Sequence, residues 1–165
     1  MLELLSVQRH DFLNHLQIIS GLLQLNRETE AREYIRTVSR DIVSLSKVVH
    51  LQVPEVAAVL LMAYNRAVSY QIEMAFDVQA NLKDCTVPGE ELASLLEELL
   101  NNIIDYLAPP EVAARKISIG IMGTEVSYSW QISFSAAPYA YPTRVEESAQ
   151  RAVDNGVRLK LYITN

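Results

Sequence analysis

Apolar positions in the first fifty residues recur at helical spacing. Leu2, Leu5, Phe12, Leu16, Ile19 and Leu23 are separated by 3, 7, 4, 3 and 4 residues, a near-heptad stripe. Asn26-Arg27-Glu28-Thr29 reads as a short turn, with Thr29 placed to cap the helix that follows. Ala31, Ile35, Val38, Ile42, Leu45 and Val49 then repeat at 4, 3, 4, 3 and 4. Two helices with so tight a connection predict an antiparallel hairpin. With Leu13, Ile18, Leu22 and Leu25 beside the stripes, the pair carries more apolar surface than it can bury alone. A second copy of the chain would cover it as a four-helix bundle. Packing against the rest of the same chain is the other solution.

Beyond Pro54, which ends the hairpin region, the pattern changes. Glu55 to about Tyr70 predicts a helix and Ile72 to Val78 a strand. Pro88-Gly89 opens a helix that runs to about Leu107, where Pro109-Pro110 stops it. Lys116 to Met122 and Val126 to Phe134 predict strands joined at Gly123-Thr124. Pro138 to Pro142 is loop. Thr143 to Asn155 is helix with Gly156 as its stop, and Arg158 to Thr164 is a final strand. The order after the hairpin is α-β-α-β-β-α-β, so the fold class is α+β. The domains divide as 1–52 and 53–165.

Composition narrows the function classes. Of 165 residues, half are hydrophobic and 21% charged, which suits a packed core. Twenty acidic residues against 14 basic ones give a net charge of −6 with no Lys/Arg block, which argues against nucleic acid as a partner. Cys85 is the only cysteine, so an internal disulfide or a cysteine zinc site is excluded. No apolar run is long enough to cross a bilayer, and Glu3, Arg9, His10 and Asp11 do not fit a signal peptide. The expectation is a soluble, cytoplasmic protein without a membrane partner.

The candidate chemistry lies on the first helix. On a helical wheel, Asn14, Gln17, Gly21 and Gln24 fall within about 40° of His10, while Phe12 and Ile19 lie opposite. His10 thus heads a polar stripe turned away from the apolar side. A solvated imidazole offers a neutral nitrogen nucleophile near pH 7. Asp11 could hold one ring nitrogen and leave the other to attack. Asn14, one turn on, can reach the same reacting atom, and Arg9 suits phosphate oxygens. Taken alone, an exposed histidine on a helix is usually just solvated. His15 reads as a packed boundary residue, and His50 as a cation suited to a helix end. No metal-ligand cluster and no Ser-His-Asp or G-x-S-x-G arrangement is present.

The whole segment Arg9-His10-Asp11-Phe12-Leu13-Asn14-His15-Leu16-Gln17-Ile18-Ile19-Ser20-Gly21-Leu22-Leu23-Gln24-Leu25 resembles the phosphoacceptor helix of two-component proteins. It is similar to the citrate/fumarate-sensor histidine kinases and to the sporulation initiation phosphotransferase B family. The likeness continues through Glu30-Ala31-Arg32-Glu33-Tyr34-Ile35. It implies a dimeric four-helix bundle in which His10 carries the phosphoryl group, with Asp11 and Asn14 as helpers. Leu13, Gln17 and Gly21 would form part of a docking surface for response-regulator receiver domains, or simply be helix surface.

The resemblance extends beyond the hairpin. Pro54-Glu55-Val56-Ala57-Ala58-Val59-Leu60-Leu61 resembles the kinase segment that follows it. Glu98-Leu99-Leu100-Asn101-Asn102-Ile103-Ile104-Asp105-Tyr106 resembles the N-box helix of the kinase ATPase domain. In that alignment the family's magnesium asparagine is replaced by Tyr106, and a phenol cannot serve as the same hard-cation ligand. Where the kinases have D-x-G-x-G, this chain has Ser135-Ala136-Ala137-Pro138-Tyr139. The glycines are 21, 89, 120, 123 and 156, so G-x-G occurs nowhere. Gly156-Val157-Arg158-Leu159-Lys160-Leu161 is a weak echo of the second glycine box, and Gly120 to Gly123 reads as a hairpin turn.

The resemblance therefore implies a small, degenerate histidine-kinase-ATPase-like α/β sandwich that binds no nucleotide productively. The expected function is a homodimeric phosphorelay phosphotransferase acting through a phosphohistidine, without ATP and with no cofactor of its own. Magnesium would be supplied by the receiver. Sporulation as the pathway follows from the family alone. Two alternatives stand beside it: an ATP-dependent sensor kinase core with a divergent nucleotide site, and a non-catalytic dimeric adaptor for receivers.

Overall fold

The computed structural model describes residues 2–123, 127–138 and 140–165, with side chains from His10 onward. The chain forms two compact units, Met1–Val43 and Ser44–Asn165. The first holds α1 (Leu2–Gln24) and most of α2 (Glu28–Val49). The connection is shorter than Thr29 as a cap would need. Asn26 takes a left-handed φ of 53°. The Arg27 amide donates to the Leu22 carbonyl and the Asn26 amide to Leu23, which closes α1 in a Schellman turn. The chain then re-enters helix at Glu28, so Thr29 lies inside α2 instead of capping it.

The hairpin seam is narrow. His15, Ile19 and Leu22 of α1 are half-buried, as are Tyr34 and Val38 of α2. Ala31 is the buried centre, at 1% exposure. Of the stripes read from the sequence, Ile19, Ala31 and Val38 lie in this seam, and other members lie beside it. Phe12, Leu16 and Leu23 remain exposed on α1, with Ile35 and Ile42 on α2.

The second unit contains α3 (Pro54–Ser69), β1 (Glu73–Val78), α4 (Gly89–Leu107), β2 (Lys116–Gly123), β3 (Tyr128–Ser135), α5 (Thr143–Asp154) and β4 (Leu159–Thr164). The last residues of α2 belong to it too: Val48 and Leu51 lie in its core, and Ser44 Oγ donates to the Phe76 carbonyl at 2.7 Å. Pro54 stands at the first position of α3, where its missing N–H costs nothing. The sheet order is β1-β2-β3-β4. The outer pairs β1/β2 and β3/β4 are parallel and β2/β3 is antiparallel. Helices α4 and α5 are thus the crossovers of two β-α-β units joined by a hairpin. The hairpin's connecting residues 124–126, including the expected turn residue Thr124, lie outside the described residues.

Alternation fixes which sheet face is covered. Met74, Phe76, Ile117, Ile119, Ile121, Trp130, Ile132 and Phe134 point into the core with Leu96, Leu99, Leu100, Ile103 and Ile104 of α4. The opposite face carries Glu73, Asp77, Lys116, Ser118, Gln131 and Lys160, and is open. Lys116 pairs in register with Glu73, Nζ to Oε2 at 3.2 Å. Gly120 to Gly123 is strand and not a turn, because Ile121 continues the buried side of β2 opposite Trp130. Gly156 ends α5 at φ 91°, in a Schellman turn whose Val157 amide reaches the Ala152 carbonyl. That role accounts for this glycine without a phosphate loop. Leu100 is fully buried at the centre of this packing. Leu100→Ala is expected to destabilise the second unit by ~2–5 kcal/mol in urea unfolding followed by tryptophan fluorescence.

Candidate functional site

Helix α1 places the expected residues on one accessible side. The His10 side chain is 78% exposed and Asp11 61%, and His10 Nδ1 lies 3.9 Å from Asp11 Oδ1. That is an ion-pair separation and longer than a hydrogen bond. The imidazole as a whole is open to solvent. Leu13, Asn14 and Gln17 are exposed as well. Gly21 is half-buried, and a Cβ there would meet nothing within 4 Å, so the backbone is open to close approach. Arg9 lies on the α1 backbone, but its side chain is outside the described ones. The helix thus brings His10 and Asp11 together, and continues the polar stripe through Asn14 and Gln17.

The side chains across the helix were harder to foresee. His15 Nδ1 lies 2.7 Å from the Tyr34 hydroxyl, with the two rings 5.8 Å apart and tilted by 51°. Burial pushes the Tyr34 phenol up from its ordinary value, because the ionised form would lose its hydration. Tyr34 therefore keeps its proton and can donate it to the imidazole. The sequence pattern placed His15 at the edge of the apolar side but gave no sign of its partner.

On α4, the polar side chains of the segment Asn101–Tyr106 are all engaged by the unit itself. Arg66 of α3 donates to Asn101 Oδ1 at 2.8 Å and to Asp105 Oδ1 at 2.5 Å. The same guanidinium lies 5.7 Å from the Tyr70 ring centre. Asn102 Nδ2 donates to the Arg144 carbonyl at 3.3 Å. Tyr106 packs edge-on against Phe134, and its hydroxyl accepts from the Ala137 amide at 2.9 Å and donates to the Ala140 carbonyl at 3.3 Å. The Ala136 amide is bound to the Thr164 carbonyl at 2.8 Å. The segment after β3 is therefore tied down through its own amides. Tyr139, the last residue of the expected glycine-box replacement, lies outside the described residues. Among the described residues, no group of three or more His, Cys, Asp or Glu is arranged to hold a metal, and no helix is long and apolar enough to cross a membrane.

Comparison with known proteins finds a match for the hairpin. Residues 1–51 match the family model of the SpoOB-type sensor kinase alpha-helical domain. Sporulation initiation phosphotransferase B of Bacillus subtilis (strain 168) is 30% identical to this chain over 101 residues, which are 61% of this chain and 52% of that protein. The chain thus spans about half the length of the curated relative it matches. The resemblance read from the Arg9–Leu25 segment holds. Within the matched residues, His10 is an exposed imidazole with a carboxylate beside it.

Tyr106 gives a direct check on the second unit. Tyr106→Phe keeps the ring contact with Phe134 and removes both hydroxyl bonds. It is expected to cost about 1 kcal/mol, and to raise amide hydrogen exchange at Ala137 in mass-spectrometric or NMR measurement.

Proposed function

We propose that the protein is a phosphorelay phosphotransferase in which His10 carries the phosphoryl group between response-regulator aspartates. The observation that carries this is the open imidazole of His10, beside Asp11, on the polar side of a SpoOB-type helix. In the first step the Nε2 lone pair of neutral His10 attacks the phosphorus of a receiver's aspartyl phosphate. The bond between phosphorus and the carboxylate oxygen breaks, and the aspartate leaves as a carboxylate. In the second step the carboxylate of another receiver attacks the phosphohistidine, and Nε2 leaves with its electron pair. The covalent intermediate splits one transfer into two. Asp11 closes on Nδ1–H as positive charge develops on the ring, Asn14 orients the phosphoryl oxygens, and Arg9 pairs with them. Leu13, Gln17 and Gly21 form part of the surface on which the receiver docks. In this proposal the magnesium chemistry is the receiver's, and this chain supplies the nucleophile.

Residues 1–52 are the phosphoacceptor and dimerisation domain in this proposal. Phe12, Leu16, Leu23, Ile35 and Ile42, each 44–57% exposed, are the face that a second copy covers as a four-helix bundle. Residues 53–165 are the degenerate kinase-ATPase-like domain. Its α4 side chains, already spent on Arg66, Arg144 and the segment after β3, support a role without ATP.

His10→Gln is expected to lower acid-labile labelling from a phosphorylated receiver at least ~100-fold, with the helical content unchanged by circular dichroism. An adaptor would instead keep its function in that variant. For the dimer, Phe12→Asp combined with Ile42→Asp is expected to convert a two-chain species into a one-chain species in sedimentation equilibrium. A wild-type protein that sediments as a single chain would contradict the bundle.

A further inference from the structure

Helix α1 carries apolar side chains around much of its circumference. At 100° per residue, Ile18, Leu22, Ile19, Phe12, Leu23, Leu16 and Leu13 span an arc of about 220°. Only a narrow part of that arc meets α2. Hydrophobic burial does not by itself choose which part, since Ile18, Ile19, Phe12 or Leu16 could each face the partner helix for a similar gain. Within the arc lie the exposed Asp11 and Ser20 and, half-buried, His15, which is the polar residue that meets α2, where Tyr34 is its partner. The half-buried pair is flanked by Ile19, Leu22, Ala31 and Val38. Turning α1 away from this setting would leave the imidazole and the phenol among apolar groups without each other. A part-buried pair that loses its hydrogen bond forfeits about 1 kcal/mol, so this bond favours one rotation over the others. A single polar contact in an apolar helix interface is a known way to fix register.

We propose that the His15–Tyr34 hydrogen bond sets the rotation of α1 in the hairpin and thereby aims His10 at the incoming receiver. This rests on His10 being the phosphoacceptor. His10 lies about 140° around the helix from His15, so holding His15 in the seam holds His10 outward. Both are positioning residues. Neither touches the phosphoryl group.

The test is the double variant His15→Leu with Tyr34→Phe, in the full chain. Removing both partners leaves no orphaned polar group, so melting temperature and helical content should match or exceed the wild type. Phosphoramidate, a small donor that needs only an accessible imidazole, should label His10 within about twofold of wild type. Transfer from a receiver domain charged with acetyl phosphate, chosen because it labels the wild-type chain, should fall roughly tenfold or more, because a displaced reacting group forfeits orientation. The single His10 ring resonance in NMR should broaden or split as α1 samples other rotations. His15→Gln, which can still accept from Tyr34, should restore most of the receiver-dependent rate. A double variant that transfers at the wild-type rate with an unchanged His10 resonance would overturn the proposal alone. A wild-type chain that takes no label at His10 from either donor would overturn it together with the phosphoacceptor assignment.

Discussion

Two amphipathic helices with wide apolar arcs cannot satisfy themselves. The α1–α2 seam buries Ala31 and half-buries five further side chains, and leaves Phe12, Leu16, Leu23, Ile35 and Ile42 open. At ~25 cal/mol per Å² of apolar surface, such a face is a strong drive toward a covering partner. The same arrangement leaves one side of α1 free of that demand. His10, Asn14 and Gln17 lie there. A helix whose apolar arc is committed elsewhere can present a nucleophile on a rigid backbone without burying it, and phosphoryl transfer depends mostly on such positioning.

The second unit solves its own packing. Its sheet is covered on one face, and α4 sits between α3 and α5 as the main apolar donor to the core. Polar side chains of α4 are engaged within the unit. Arg66, the Arg144 carbonyl and the segment after β3 take up Asn101, Asp105, Asn102 and Tyr106. The Tyr106 phenol bridges two backbone groups and does the work of a strut.

Much of this was legible in the sequence, and the reasons are local. Pro54, Pro88, Pro109 and Gly156 punctuate the second unit, and its seven elements follow in the expected order. The strands expected at Ile72–Val78, Lys116–Met122 and Arg158–Thr164 are found as β1, β2 and β4. What escaped was carried by contacts remote in sequence or by unusual backbone. Asn26 takes a left-handed conformation that glycine would have advertised, and so the tight re-entry at Glu28 was missed. Gly120 and Gly123 suggested a turn, but Ile121 is held in strand by Trp130 across the sheet. The chemistry proposed for His10 could be read from the sequence because Asp11 and Asn14 lie within about one turn of it. The partner of His15 was not, because Tyr34 is 19 residues away. Arg66 is still further from Asp105 in sequence, and no spacing rule connects them.

The central claim is that phosphate reaches His10 from a receiver and not from ATP. It is tested most directly by incubating the purified chain with labelled magnesium-ATP and, separately, with a labelled phospho-receiver, and scoring acid-labile label on the chain. The account predicts label from the receiver, lost in His10→Ala, and none from ATP. ATP-derived label on His10 would contradict it and make this chain a kinase despite its missing glycines.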